Sequence, residues 1–327
     1  MVKLVTFGET LVRYSGSISS PLRDDVGCVL ELAGAESNVA VNVGRLGVPD
    51  LETVWISRLG DDAGGRFILN ELAGRTQVVA ELYEGQRTGA FNVDYVADGT
   101  HVKTYFRKAS AASFLTFAEI KPHLEGAEVV HVTGITPALS DSCRDTVFET
   151  LHWAGNRGIP VSFDVNYRPQ LWKPADARLV YEAIIDQSTI AKVGYDEAKT
   201  VWGYDWSPRK YAEHLNGHTD RVVIVTLDSE GAIVFDGDSV VEVGGYSVDV
   251  VDSVGAGDAF VAGFLAGILL ECHVKELIRM EAVRRRNVLE GSLRIANVCG
   301  ALLCTQRGDT AAMPTMREVR EFIRGYD

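Results

Sequence analysis

Val250-Val-Asp-Ser-Val-Gly-Ala-Gly-Asp-Ala-Phe-Val-Ala-Gly-Phe-Leu-Ala-Gly-Ile-Leu-Leu270 is the stretch on which the reading of this chain turns. A β-branched run passes into Gly255-Ala256-Gly257. An apolar segment follows with small residues at Gly263, Ala266 and Gly267, the pattern of a closely packed buried helix. The glycine turn therefore sits at a helix N-terminus. Successive backbone N–H groups can face one concavity there, and the helix dipole adds partial positive charge, so a phosphate or a developing oxyanion is stabilised. Asp258 falls in the first turn. A carboxylate at that place suits the dipole as a cap residue. It equally supplies a proton acceptor beside an anion hole, the arrangement that takes a proton from an alcohol while phosphate charge is neutralised alongside.

The 327 residues suit about two units or one large α/β domain with an appendage, and 46% hydrophobic residues suffice for a substantial core. A net charge of -13 argues against general affinity for nucleic acid or an anionic membrane, although a local arginine cluster can still hold an anion. Cys28, Cys143, Cys272, Cys299 and Cys304 form no CxxC pair, which points to a reducing compartment. Residues 1–8 read as a strand and turn without the charged and apolar regions of a signal peptide, and the apolar run near 259–270 is too short to span a bilayer. The expectation is a cytoplasmic protein.

Outward from the glycine turn, residues 129–227 alternate strand-like and helix-like segments. Val129–Thr133, Val161–Val165, Ile190–Val193 and Val222–Leu227 are separated by helical stretches, which argues for a parallel sheet covered on both faces. Its functional edge is the carboxyl ends of the strands. Residues 2–8 read as a further buried strand, and a helix opens at Gly34-Ala-Glu-Ser-Asn38 with Ser37 or Asn38 able to cap it. Phe91–Val96 and His101–Arg107, joined by Ala97-Asp-Gly-Thr100, read as a β-hairpin. With residues around 10–33 it forms a small sheet, so that about 10–33 and 86–109 make a lid on a single domain spanning 1–327. Glu281-Ala-Val-Arg-Arg-Arg286 reads as a solvated helix face. No Walker motif, GxSxG elbow or HExxH helix competes as a catalytic set.

Asp252-Ser-Val-Gly-Ala-Gly-Asp-Ala-Phe260 closely resembles the C-terminal signature of the ribokinase-like (PfkB) carbohydrate kinases, and Gly34–Ala40 resembles their N-terminal signature. The resemblance implies an α/β three-layer sandwich with a central, mostly parallel sheet and a small β-sheet lid. It implies Asp258 as general base, the amides of Gly255, Ala256, Gly257 and Asp258 as anion hole, and Gly34, Asn38 and Asp252 in the sugar pocket. Asp164-Val-Asn166-Tyr-Arg168 resembles a segment in which the arginine contacts substrate and the asparagine lies near the transferred phosphate; read as residues alone, it is also an ordinary strand end.

Tyr105-Phe-Arg107-Lys-Ala-Ser-Ala resembles 2-keto-3-deoxygluconate kinases, with Phe91 standing where their substrate-touching tyrosine is common. Strand alternation puts Tyr105 and Arg107 on one face, so Arg107 is expected to converge with Arg168. A guanidinium forks onto a carboxylate, which suits a sugar acid better than a neutral sugar. Thr226-Leu-Asp228-Ser-Glu-Gly231 resembles the family's nucleotide turn with Asp228 in place of glycine, and Asn297 falls in the purine pocket by the same resemblance. Glu197 matches the acid that holds magnesium through water, while Gly194 replaces the neighbouring asparagine. The implied partners are ATP, Mg²⁺ and a sugar or sugar acid, with room for a monovalent cation and for a homodimer or higher oligomer through the lid, and without nucleic acid or membrane. The substrate expectation is 2-keto-3-deoxygluconate. A neutral-sugar kinase acting on fructose is the nearest alternative, and Gly194 and Asp228 motivate another, a sugar-binding protein without turnover.

Overall fold

The computed structural model describes residues 2–15, 29–95, 101–217 and 219–326. Cys28, the expected hairpin loop 97–100 and residues 16–28 of the expected lid lie outside the described residues. The strands are β1 (Val2–Phe7), β2 (Leu11–Ser15), β3 (Val29–Ala33), β4 (Leu51–Gly60), β5 (Gln77–Tyr83), β6 (Ala90–Tyr95), β7 (His101–Phe106), β8 (Val129–Thr133), β9 (Val161–Asp164), β10 (Ile190–Gly194), β11 (Val222–Thr226), β12 (Gly231–Phe235) and β13 (Val240–Gly244). Among the described residues they form two sheets, one in the order β13-β12-β11-β10-β9-β8-β1-β4-β5 and a smaller one in the order β3-β2-β6-β7.

From β11 through to β5 the large sheet is parallel; β12 and β13 continue it antiparallel. A two-residue side-chain period explains how each strand serves two cores. Leu4, Val129 and Ile224 face one layer, while Val5, Phe7, Val130, Val132, Val223 and Val225 face the other. The first layer is covered by the helices Ala35–Leu46, Ala256–Glu271 and Ala282–Leu303; the second by helices that include Asp141–Gly155 and Pro174–Ile185. Because β4 lies on one side of β1 and β8 on the other, strand order reverses at β1. A crevice opens at such a switch point, outside the carboxyl ends of the strands.

The helix Ala256–Glu271 is buried almost throughout, as its continuous apolar sequence requires. Its small residues let the helix Ala282–Leu303 approach closely: a Cβ on Gly263 would meet the Ala296 Cα at 2.8 Å and the Cys299 Sγ at 3.0 Å. The expected solvated face at Glu281–Arg286 is corrected at one position. Arg285 is buried and its Nε donates to Asp236 at 2.7 Å, with Asp238 as a second partner, so it ties this helix to the β12–β13 turn. A polar run suggested solvent; acids distant in sequence withdraw one member of it.

Gly263→Val is expected to lower the thermal midpoint, the overpacking amounting to about 1–3 kcal/mol. Gly291→Ala, on the same helix pair but with open space at its Cβ, is expected to leave the midpoint unchanged or raise it. Equal midpoints for Gly263→Val and the parent chain would contradict the close helix contact.

Candidate active site

The carboxyl ends of the parallel strands open into one cavity of about 510 Å³. Glu9 follows β1, Ile135 follows β8, Asn166 and Arg168 follow β9, Lys192 and Gly194 belong to β10, and Thr226 ends β11; all line it. The small sheet contributes Phe91, Lys103 and Tyr105, with Arg107 directly after β7. Gly34, Asn38, Asp228, Gly255, Gly257 and Asp258 complete the expected residues found on its wall, together with Glu197.

The turn before the helix Ala256–Glu271 depends on Gly255, whose φ of 84° is left-handed and whose Cβ, if present, would stand 2.7 Å from the Asp309 carbonyl oxygen. Amides in the first helical turn lack intrahelical acceptors, and Gly257 brings this backbone to the cavity wall. Asp258 is buried in that turn. Asn38, in the first turn of the helix Ala35–Leu46, donates its Nδ2 to Asp258 Oδ2 at 2.8 Å and to Asp309 Oδ2 at 3.3 Å. Asn166 Nδ2 lies 3.4 Å from Asp258 Oδ1 and holds a positive φ of 38°, a strained backbone of the kind found where a side chain must be aimed. Burial raises the Asp258 carboxyl to about 7; Asn38 opposes this, and nearby Asp164 and Asp309 add to it. Asp309 is likewise raised, to about 6, mainly by burial and against the pull of Arg13.

Lys192 is buried with its Nζ 3.1 Å from Asp164, and the same ammonium stands 3.4 Å from where a Cβ of Gly257 would lie. Burial alone would depress it, but Asp164, Glu197 and Asp258 raise it above the ordinary lysine value. Glu197 accepts from the amides of Tyr167 at 3.0 Å and Gly194 at 2.8 Å. The Asn166 Oδ1 atom is buried without a hydrogen-bond partner and Asp164 Oδ1 faces only the Lys192 ammonium, leaving oxygen donors beside this end of the cavity. Among the described residues no cluster of three or more acids, histidines or cysteines forms a metal cage. The donor set fits a magnesium ion that keeps most of its waters and takes phosphate oxygens as ligands.

Several expected site residues lie elsewhere. Asp252 is not itself on the cavity wall and pairs with Arg13, whose guanidinium nitrogens stand 3.2 Å from it. Ala256 is not on the wall, and its amide is used by the Ser253 carbonyl at 3.3 Å. Gly231 starts β12 off the cavity, with φ 101°. Asn297 is a buried structural donor to the carbonyls of Val243 and Gly244, both at 3.0 Å, because its helix packs on the end of β13. Arg107 does not present a free guanidinium. Glu9 accepts from its Nε at 2.7 Å and lies 2.5 Å from its Nη2, and Ser110 also donates to Glu9. Asp228 reaches the cavity from a left-handed backbone, φ 50°. Sequence reading missed Glu9, Lys103 and Asp309; the rule that carboxyl ends of strands line the crevice finds Glu9, and strand alternation finds Lys103. No local signal marks Asp309.

Residues 1–316 match the pfkB family of carbohydrate kinases. The chain belongs to that family. It is similar to the 2-dehydro-3-deoxygluconokinase of Bacillus subtilis (strain 168), 35% identical over 98% of this chain and 94% of the relative. It is also similar to the 2-dehydro-3-deoxygalactonokinase of Haloferax volcanii, 33% identical over 99% of this chain and 98% of the relative. A fructokinase double mutant from Vibrio cholerae O395, solved with fructose, ADP and potassium ion bound, superposes with TM-score 0.82 at 25% identity, covering 98% of each chain. The protein is a sugar kinase with the ribokinase-like α/β fold expected from its sequence. Among its described residues no helix is long and apolar enough to cross a membrane.

A raised carboxyl gives this kinase a testable pH signature. Between the ordinary 3.8 and about 7, folded Asp258 holds a proton that the unfolded chain has released, so its contribution to stability falls as pH rises through that window. Asp258→Asn removes the titration. Its thermal midpoint is expected to match the parent enzyme near pH 4 and to exceed it increasingly up to pH 8; a difference independent of pH would contradict the burial of an ionisable group there.

Proposed function

We propose that this sugar kinase transfers the γ-phosphoryl group of ATP to the terminal hydroxyl of a sugar acid, 2-keto-3-deoxygluconate, giving its 6-phosphate. The observation that carries the reading is the buried Asp258 carboxylate at a helix N-terminus, on the same cavity wall as Arg168, which makes no ion pair among the described residues. Asp258 takes the hydroxyl proton as the substrate oxygen bonds to the γ-phosphorus and the bond to the bridging oxygen breaks, releasing ADP. The first-turn amides beside Gly257 and the Lys192 ammonium offset negative charge on the transferring group. Magnesium, when bound near Glu197 and Asn166, neutralises phosphate charge. Asn38 orients Asp258, and Arg168 receives the substrate carboxylate. The small sheet acts as a lid that excludes water. Its outer face exposes Tyr14, Leu30, Val102 and Phe106, and we assign that face to a second copy of the chain. A monovalent cation accords with the potassium ion named for the Vibrio cholerae fructokinase.

A second reading, a neutral-sugar kinase, is favoured by one contact: Glu9 neutralises Arg107 and leaves the sugar end less basic. Steady-state phosphorylation of 2-keto-3-deoxygluconate, its galacto epimer, fructose and ribose separates the two. The account expects the 2-keto-3-deoxy acids to be used with the highest kcat/KM; preference for fructose would replace it. Asp258→Asn is expected to lower kcat by about 10²- to 10⁴-fold, with nucleotide and sugar still binding by calorimetry. Turnover near the parent rate would remove the proposed base.

A further inference from the structure

The charge on the sugar end of the cavity can be apportioned residue by residue. The whole cavity wall carries four cationic side chains, Lys103, Arg107, Arg168 and Lys192, the last of them beside Gly257. Arg107 is neutralised by Glu9 and Lys192 by Asp164. Behind them, Arg13 of β2 is divided among Asp252, Asp309 and Glu31 at 3.2, 3.6 and 3.3 Å. Arg168 makes only a 3.4 Å contact with the Tyr167 carbonyl, and Lys103 has no hydrogen bond or ion pair among the described residues.

Register shows why Lys103 belongs to this wall. In β7 it pairs with Val93 and Tyr105 pairs with Phe91, while Arg13 and Ser15 of β2 pair with Phe91 and Val93. Period-two alternation therefore puts Lys103, Tyr105 and Arg13 on the inner face, with Val102 and Phe106 outward. The ammonium sits among charges of both signs. Desolvation, then Arg13 and Arg168, lower it from the ordinary lysine value, and Asp309 and Asp252 act against them. The net direction is downward, and the two acids nearest the ammonium, Asp252 and Asp309, are already shared with Arg13.

We propose that Lys103 is a specificity-determining residue, binding the substrate carboxylate jointly with Arg168. This deepens the sugar-acid reading above and rests on it. A carboxylate there meets a forked guanidinium on one side and a point charge on the other, and it relieves the repulsion between Lys103 and Arg168. A neutral sugar leaves both cations unmatched, so the pair selects acids as well as binding them.

Lys103 lies at the cavity mouth with solvent access, so Lys103→Met is expected to fold like the parent. In the full-length enzyme with 2-keto-3-deoxygluconate, the expected result is a KM raised roughly tenfold or more and kcat changed by less than about twofold. The ratio of kcat/KM for the acid to that for fructose falls correspondingly, and Lys103→Arg restores most of it. A sugar-acid KM within about twofold of the parent, or equal loss on acid and fructose, overturns the role of Lys103 while leaving the substrate reading in place. Failure of the parent enzyme to use sugar acids overturns the substrate reading, and the role of Lys103 with it.

Discussion

The buried start of the helix Ala256–Glu271 is the constraint on which the site depends. The helix is apolar on every face and must lie between the sheet and the helix Ala282–Leu303, so its N-terminus is held rigidly at the edge of the large sheet. Gly255 is fixed there twice over, by its left-handed backbone and by the approach of the Asp309 carbonyl. Asp258 follows three residues later and is thereby carried into a cavity wall with little freedom to leave. Desolvation raises its carboxyl, and the Asn38 amide stabilises the charged form. The balance lies near neutrality, where a group both accepts and releases a proton readily.

Around that point the cavity has two electrostatic ends. Acids and orphaned oxygens, Glu197, Asp228, Asp164 and Asn166, gather toward the ends of β9, β10 and β11. Cations of the small sheet and the β9 loop gather toward the other end, and two of them are already paired: Arg107 by Glu9 and Arg13 by Asp252 and Asp309. These pairs join the small sheet to the main domain. Removing one partner would strand a buried charge, which is more damaging than losing an exposed ion pair. Opposite polarity at the two ends accords with the proposed pair of ligands, a sugar acid at one end and a metal-bound polyphosphate at the other.

Much of this architecture was legible in the sequence because it depends on period. Continuous β-branched runs such as Val222–Thr226 read as strands buried on both faces, and a glycine turn leading into the unbroken apolar and small run Ala259–Leu270 reads as a core helix. The hairpin near β6 and β7 was legible from alternation for the same reason. What periodicity does not carry is pairing between side chains far apart in the chain. Asn38 and Asp309 meet across 271 positions, Arg13 and Asp252 across 239. Sequence alone thus sent Asp252 to the substrate, Asn297 to a purine and Arg285 to solvent, whereas each is occupied by a partner from another element. Arg107 does reach the cavity as expected, but nothing local marks Glu9 as its counterion.

Titrating the Asp258 carboxyl itself tests the central claim most directly, by carboxyl-carbon NMR of the parent enzyme with Asp258→Asn used to assign the resonance. A midpoint near 7 is the result required by a carboxylate buried beside an anion hole. A midpoint near 4, that of a solvated aspartate, would mean that the side chain faces water and does not serve as the base described.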